Sequence, residues 1–251
     1  MIADRTAAAW FASLEALCRT APGGWYAECG TSRAATTGSR IPALNSAYGV
    51  TLDPDPASLD EMALAVRARD VPWSISVRGP ATYPIVGLAL RHGLRECEES
   101  PVLGCPAGDV VFRDPAAAPG AIRRVRAAEW HVYTDVLAQA FEASAEVFGT
   151  MMAGEVLDHP AFAGYLAVES GRPVGTGLGM PADGVIGVFN VGVIPSHRGR
   201  GIGRAITERI LADAFAAGAD TAYLHSSAMG RPLYESMGFR HLETRTVFTA
   251  R

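Results

Sequence analysis

The segment that most constrains the fold runs from residue 184 to residue 218. It opens with GVIGVFNVGVI, a nearly continuous apolar run of the kind found in strands buried on both faces. A turn with three glycines and two arginines, SHRGRGIG, comes next. The following RAITERILADAFAAG places Ile206, Ile210 and Leu211 on one helical stripe and stops at Gly218. A buried strand that turns directly into a helix predicts an α/β fold.

The same turn predicts an anion site. The first N–H groups of a helix have no intrahelical acceptor, and the helix dipole adds positive potential there. Gly199, Gly201 and Gly203 would let a phosphate or pyrophosphate approach the backbone. Three arginines add positive charge, namely Arg198, Arg200 and Arg204. The chain has no GxxxxGK followed by Ser or Thr, and the GxGxG spacing fits a GxGxxG dinucleotide fingerprint poorly.

Two motifs in this half resemble those of a known family. The spacing Arg198-x-x-Gly201-x-Gly203, after a strand that ends in Val-x-Ile-Pro, is similar to motif A of the GNAT acyltransferase superfamily. SSAMGRPLYESMGF, at residues 226–239, is similar to motif B, a short helix that carries a tyrosine and closes with Gly-Phe. The resemblance spans about residues 121–251 and implies transfer of an acetyl group from acetyl-CoA to an amine.

The resemblance also implies roles for particular residues. The loop would hold the coenzyme's pyrophosphate, the backbone of Asn190 to Val193 would pair with pantetheine like an added strand, and Ser227 stands where many members carry Asn. The implied coenzyme set is Val191, Gly192, Val193, Arg198, Gly199, Arg200, Gly201, Ile202, Gly203, Arg204 and Ser227. Tyr234 occupies the family's proton-donor position. A phenol with a pKa near 10 is protonated at neutral pH and suits that role.

The acceptor and the general base stay open. Asn190, Glu129 and Glu155 are candidates for contact with the acceptor. Candidate bases are Glu129, Glu155, Asp158, His159 and His225, although deprotonation through water would need no single base. The expected acceptor is a primary amine on a small molecule that attacks the thioester directly. No metal is expected.

The predicted strands and helices follow the same order in the first half of the chain as in the second. Both halves read as strand, turn, helix, strand, helix, Gly-apolar pair and strand, which predicts an internal repeat. We therefore expect two GNAT-like α/β (α+β) domains, each a mixed central sheet flanked by helices. The N-terminal domain would span residues 1–118 and the catalytic domain residues 119–251, joined by the Ala/Pro-rich segment RDPAAAPGAIRR. An unrelated α/β cap is the alternative reading of the first half.

The first half is not expected to bind coenzyme. Its equivalent turn holds Asp53, Pro54, Asp55 and Pro56. Two prolines remove N–H donors, and two aspartates repel phosphate. The helix that follows could open at Ser58 and Glu61 as a capping box.

Charge and composition disfavour several other classes of protein. The net charge of −4 disfavours bulk nucleic-acid binding, and no apolar run approaches the length of a membrane span. Asp4, Arg5 and Glu15 interrupt the first twenty residues, which predict an amphipathic helix rather than a signal peptide. The four cysteines form no CxxC pair and are expected to be free thiols in the cytoplasm. The chain is expected to be a monomer or a homodimer.

Two other functions stay open from the sequence. One is a non-catalytic acyl-CoA sensor on the same fold, which would bind coenzyme without turning it over. The other is a dinucleotide-dependent oxidoreductase, which the loop spacing disfavours.

Overall fold

A computed structural model describes residues 1–113 and 120–250 of the 251-residue chain. The helices in these ranges are α1 (Ile2–Thr20), α2 (Pro56–Arg67), α3 (Tyr83–Arg91), α4 (Trp130–Ala140), α5 (Ala145–Phe148), α6 (Ile202–Ala216) and α7 (Arg231–Ser236). The strands are β1 (Gly24–Cys29), β2 (Ser32–Thr37), β3 (Asn45–Gly49), β4 (Ser74–Arg78), β5 (Glu96–Pro106), β6 (Ala121–Arg124), β7 (Ala163–Glu169), β8 (Arg172–Ala182), β9 (Val185–Val193), β10 (Thr221–His225) and β11 (Arg240–Thr249).

The strands form one mixed sheet in the order β1-β2-β3-β4-β11-β5-β10-β9-β8-β7-β6. The predicted α/β class, a mixed sheet flanked by helices, is confirmed. The two halves do not keep separate sheets, because they exchange their last strands. β11 lies between β4 and β5, and β5 lies between β11 and β10. The β5–β11 pairing is antiparallel and runs from Arg240 opposite Gly104 to Thr249 opposite Glu96.

The helices divide between the two faces of the sheet. On β5, Val102 packs under α1, whereas the next residue, Leu103, packs with Ile206 of α6 on the opposite face. α2 and α3 cover the first half on the α6 side, and α4 and α5 pack on the α1 side. The N-terminal amphipathic helix is confirmed as α1. It contacts strands of both halves, and its Arg5 pairs with Asp220 at 2.6 Å.

Several local predictions hold. The sequence YLAVESGRPVGTGLGM predicts a hairpin that turns at Ser170-Gly171. β7 and β8 form it, with Ser170 and Gly171 both at positive φ, 50° and 79°. The parallel pairs β3–β4 and β9–β10 each extend over three positions, as an internal repeat would require. No helix in residues 1–113 or 120–250 combines the length and apolar character needed to cross a membrane.

Other local predictions are wrong. The capping box at Ser58 is replaced by Asp55, whose carboxylate accepts from the N–H groups of Ala57 and Ser58 at 3.3 and 2.9 Å. α2 begins three residues earlier than a Ser58 cap requires, because Pro56 suits the first helical position. The apolar spacing of AAEWHVYTDVLAQAFEASAEVF, residues 127–148, predicts one helix. The chain is instead broken between α4 and α5, where Glu142 has φ 55°. The β1–β2 hairpin has no counterpart in the sequence prediction.

The predicted joint between the halves is only partly described. Its end, residues 121–124, is strand β6, paired antiparallel with β7 instead of forming a linker. β6 is a short edge strand, and its residues are mostly exposed, so it lacks the apolar alternation that marks a strand in sequence. Residues 114–119, which include the predicted boundary between 118 and 119, lie outside the described residues.

Candidate active site

β9 separates from β10 after three paired positions. The last parallel pair joins Tyr223 to Gly187, and from Val188 onward β9 pairs only with β8 among the described strands. A β-bulge lies in this stretch: the β8–β9 register shifts between Thr176 and Leu178, and Asn190 adopts φ 51°. A bulge bends its strand and increases the local twist, which accounts for the separation. The β10-facing backbone edge of β9 is therefore open where the cavity begins.

The turn after β9 leads into the N-terminus of α6. Gly199 and Gly201 have φ of 77° and 83°, a region that residues with a Cβ rarely occupy. The first intrahelical bond runs from the N–H of Ala205 to the carbonyl of Gly201, and no side chain caps the helix. Helix geometry leaves the earlier N–H groups without intrahelical acceptors. They border a cavity at the place where the sequence predicts an anion site.

Each arginine side chain of this turn is bound to a glutamate. The pairs are Arg198–Glu142 at 2.8 Å, Arg200–Glu169 at 3.1 Å and Arg204–Glu208 at 2.8 Å. Arg204 is only 5% exposed and also donates to the carbonyl of Val111 at 2.6 Å. Arg198 also donates to the carbonyl of Ala140 at 2.7 Å, which fixes the loop to the end of α4. The backbone donors at the α6 N-terminus are thus freer to bind an anion than these side chains.

Tyr234 lies on α7, on the opposite wall of the cavity. Its ring is 9% exposed and packs edge-on against Phe239, with 6.0 Å between centroids. Burial raises the pKa of Tyr234 to about 12, so the hydroxyl keeps its proton at neutral pH. Ser227 accepts from the N–H of Gly230 at 3.1 Å. A Cβ at Gly230 would stand 3.1 Å from the tyrosine ring, so this glycine allows the ring its position.

The cavity has a volume of about 650 Å³, within the usual range of small-molecule sites. Most of the residues predicted to bind coenzyme line it together with Tyr234. They are Val191, Gly192, Val193, Arg198, Gly199, Gly201, Ile202, Gly203, Arg204 and Ser227. The sequence analysis did not single out the other lining residues, which are Arg113, Ala140, Phe141, Glu142, His197, Met229, Gly230 and Leu233. Of these, Met229, Gly230 and Leu233 lie within the second motif, and His197 directly precedes the first.

Four predicted site residues do not line this cavity. Arg200 turns toward Glu169, and the backbone of Asn190 is held by a 2.8 Å bond from Thr176 Oγ1 to its carbonyl. Glu129 pairs with Arg123 at 2.6 Å, which lowers the pKa of its carboxyl. Glu155 is exposed and lies before a short 3-10 turn.

The candidate bases also lie elsewhere. Asp158 and His159 line a second cavity of about 550 Å³ at the far end of α6. His225 is the last residue of β10 and faces the α1 side of the sheet. No group of three His, Cys, Asp or Glu side chains within residues 1–113 and 120–250 is arranged to hold a metal ion.

Comparisons with known proteins agree with this architecture. Residues 124–239 match the acetyltransferase (GNAT) family model. Among solved structures, the chain is similar to a GCN5-related N-acetyltransferase from Kribbella flavida, with a TM-score of 0.70, 24% identity, and coverage of 99% of this chain and 95% of that one. A putative GNAT acetyltransferase from Novosphingobium aromaticivorans has a TM-score of 0.57, 22% identity and 88% coverage of both chains. None of the curated proteins matches the chain.

The family match over residues 124–239 supports an acyltransferase, and the solved structures agree with it in fold. Residues 124–239 are similar to the GNAT acetyltransferase family, and the residues that line the cavity described above lie in this range except for Arg113.

Proposed function

We propose that the protein transfers an acetyl group from acetyl-CoA to a primary amine of a small acceptor. The observation that carries the proposal is one cavity bordered by the α6 N-terminus, the open edge of β9 and the hydroxyl-bearing ring of Tyr234. The pyrophosphate of the coenzyme would bind at the α6 N-terminus, pantetheine along the open edge of β9, and the thioester beside Tyr234.

Coenzyme binding would rest mainly on backbone groups. The N–H groups at the start of α6 and the helix dipole would hold the pyrophosphate. The free edge of β9 at Val191 to Val193 would bond to the pantetheine amides as an added strand does. The open space beside Gly199, where an added Cβ would meet nothing within 4 Å, leaves room for the phosphates.

Transfer would proceed by direct attack. The amine nitrogen forms a bond to the thioester carbonyl carbon as the carbon–sulfur bond breaks, and the sulfur leaves with the bonding electrons. Tyr234 would donate its proton to that sulfur, because burial keeps the phenol protonated. The attacking amine releases its proton to solvent, and the tyrosinate regains a proton from solvent because its pKa lies well above neutral pH.

We also propose that residues 1–118 bind no coenzyme. The carboxylate of Asp55 already accepts hydrogen bonds from N–H groups at the start of α2, where an anion would otherwise bind. Pro54 fills the space beside β3, since an added Cβ on Gly49 would lie 2.8 Å from its Cγ. This half would instead support the acceptor side of the catalytic domain.

Calorimetry with acetyl-CoA tests the binding site. The wild type should bind one equivalent per chain, and Gly201→Asp should lose binding because it adds a carboxylate beside the backbone donors. Gly171→Asp is the matched control: its φ of 79° is close to the 83° of Gly201, and it lies in the β7–β8 turn. Two equivalents per chain would contradict the assignment of the first half, and NAD bound in place of acetyl-CoA would favour an oxidoreductase.

A turnover assay distinguishes an acetyltransferase from a non-catalytic sensor. Release of free CoA that depends on an added amine supports acetyl transfer. Acetyl-CoA binding without amine-dependent release from a broad amine panel would favour a non-catalytic sensor.

A further inference from the structure

The open end of the β9–β10 separation has a second wall, on the α1 face of the sheet. Three aromatic rings meet there: Trp10 lies 4.9 Å from His225 and 5.1 Å from Phe189, and Phe189 lies 5.7 Å from His225. We call this group the aromatic recess. Phe189 and His225 are partly exposed at its edge, whereas Trp10 is buried. It lies where β9 leaves β10, and none of its three residues lines the coenzyme cavity.

Arg245 of β11 lies beside the aromatic recess. Arg245 pairs in register with Ser100, and His225 pairs with Val102, so their side chains share one face of the sheet. The positive charge of Arg245 adds to the effect of burial in lowering the pKa of His225 to about 3. Burial lowers the pKa of Arg245 itself to about 10, which leaves it charged at neutral pH.

Within residues 1–113 and 120–250, Arg245 forms no ion pair with a carboxylate, and its guanidinium lies over the rings of Phe11 and Tyr48, 5.4 and 5.7 Å from their centroids. Arg245 is 3% exposed, its Nε donates to Ser76 Oγ at 3.1 Å, and its Nη2 has no acceptor among the described residues. The two nearby acids, Glu243 and Asp4, both bond to Arg78, at 2.7 and 3.0 Å. A buried charge without a direct partner is costly, so a bound anion would stabilise the folded protein here.

Trp10 supplies a second donor of the same kind. Its indole is 9% exposed, and its Nε1 also has no acceptor within the described part of the chain. An indole N–H and a guanidinium can only donate hydrogen bonds. A group that bonds to either donor must therefore be an acceptor, and a carboxylate is the acceptor that a guanidinium binds best.

We propose that the acetyl acceptor is an amine that also carries a carboxylate, as amino acids do. Arg245 and the indole N–H of Trp10 would bind the carboxylate, and the amine would point toward the coenzyme cavity between β9 and β10. This inference rests on the proposed acetyl transfer and narrows it to a substrate class. It also gives the first half a role, because Trp10 belongs to α1. A second positive group on the acceptor would be repelled by Arg245, and an uncharged acceptor would leave both donors without a partner.

The test compares acids with their amides. Acetyl-CoA turnover is measured with the twenty L-amino acids and 4-aminobutyrate, each beside its carboxamide, which keeps the amine and removes the negative charge. A charge-assisted hydrogen bond contributes about 1.5–3 kcal/mol, so kcat/KM should be about 10- to 100-fold higher for the preferred acid than for its amide. Arg245→Gln should abolish that ratio by lowering the rate with the acid, and Arg245→Lys should keep part of it. Arg240→Gln, an exposed arginine on the same strand, should leave the ratio unchanged.

Each variant is first checked for acetyl-CoA binding, which reports an intact catalytic domain. If Arg245→Gln does not fold, Trp10→Phe replaces it, because it keeps an aromatic ring and removes only the N–H donor; it should lower the ratio severalfold. The inference is wrong if no acid in the panel is acetylated faster than its amide, or if the ratio survives both Arg245→Gln and Trp10→Phe. Equal turnover of acids and amides would contradict the carboxylate-bearing acceptor but not acetyl transfer. Binding of acetyl-CoA without turnover of any amine would contradict both.

Discussion

Tyr234 has the surroundings that a proton donor to a leaving thiolate needs. Its ring is held by Phe239 and by the close approach of Gly230, and it borders the coenzyme cavity. Burial raises its pKa to about 12, so the protonated form persists across the whole range in which an amine can attack. A pKa raised in this way means that the donor is lost only when the pH approaches 12.

Tyr234→Phe should therefore lower kcat by about 100-fold or more, the usual contribution of a positioned proton donor, and leave acetyl-CoA affinity unchanged. Steady-state kinetics and calorimetry measure the two quantities. Tyr83→Phe is the control, since Tyr83 is 95% exposed on α3 and should have no effect. If Tyr234→Phe keeps the wild-type kcat, Tyr234 is not the proton donor and its role is in packing.

The two motifs show what a sequence can and cannot predict about a site. Their spacing identified Gly201, Ser227 and Tyr234, which the fold brings to one cavity, because the strand, turn and helix that position them are local in sequence. The same reasoning could not show that Arg204 is bound to Glu208 and to the carbonyl of Val111. Nor could it find Arg245, whose surroundings are assembled from α1, β4 and β11.

At the scale of elements, α6 sits closely on β8 because that strand presents glycines to it. An added Cβ would lie 2.4 Å from Ile206 Cγ2 at Gly177, and 3.0 and 3.1 Å from isoleucine methyl groups of α6 at Gly175 and Gly179. This contact sets the height of α6 over the sheet and hence the position of its N-terminus at the cavity.

Gly177→Ala should destabilise the protein by about 1–3 kcal/mol, as overpacking of a core does, because Ile206 must move or α6 must lift. Chemical denaturation measures the change in the free energy of unfolding. Gly108→Ala serves as the control, since an added Cβ there meets nothing within 4 Å and the residue does not have positive φ. If both variants unfold at the wild-type denaturant concentration, the helix has more freedom over the sheet than its contacts indicate.

Elements with strong local signals were predictable, and those defined by a partner were not. The Ser170-Gly171 turn and the apolar stripe of α6 each lie within a few residues, and both predictions are confirmed. The start of α2 was misplaced because Ser58 and Asp55 can both cap a helix. The structure selects Asp55, because Pro56 suits the first helical position and Thr31 Oγ1 accepts a hydrogen bond from the N–H of Asp55 at 2.8 Å. β6 becomes a strand only through its pairing with β7.

At the scale of the whole molecule, the exchange of β5 and β11 makes the two halves depend on each other. β11 is bonded on both sides to first-half strands, β4 and β5, while β5 is bonded on both sides to second-half strands, β10 and β11. No pattern within one half predicts this, because each strand's own sequence is equally compatible with pairing inside its own half. The repeat predicted the order of the elements, and only long-range pairing decides which strands are neighbours.

The exchange predicts that the halves cannot fold alone but can fold together when the chain is cut. A fragment of residues 117–251 would leave both edges of β11 and one edge of β10 unpaired, and the buried N–H and C=O groups of a central strand need partners. Each separate fragment, 1–116 or 117–251, should lack cooperative unfolding. Their equimolar mixture should form a one-to-one complex that binds acetyl-CoA, as measured by circular dichroism, analytical ultracentrifugation and calorimetry.

The control fragment for this experiment is 117–239, which lacks β11. Without that strand, β4 and β5 have no common neighbour and the sheet cannot close across the two halves, so the mixture with 1–116 should neither unfold cooperatively nor bind coenzyme. A fragment 117–251 that alone unfolds cooperatively and binds acetyl-CoA with wild-type affinity would mean that β11 can pair within its own half. In that case the halves would be independent domains, and the contribution of Trp10 to the acceptor site would be an addition to a complete catalytic domain rather than part of one shared structure.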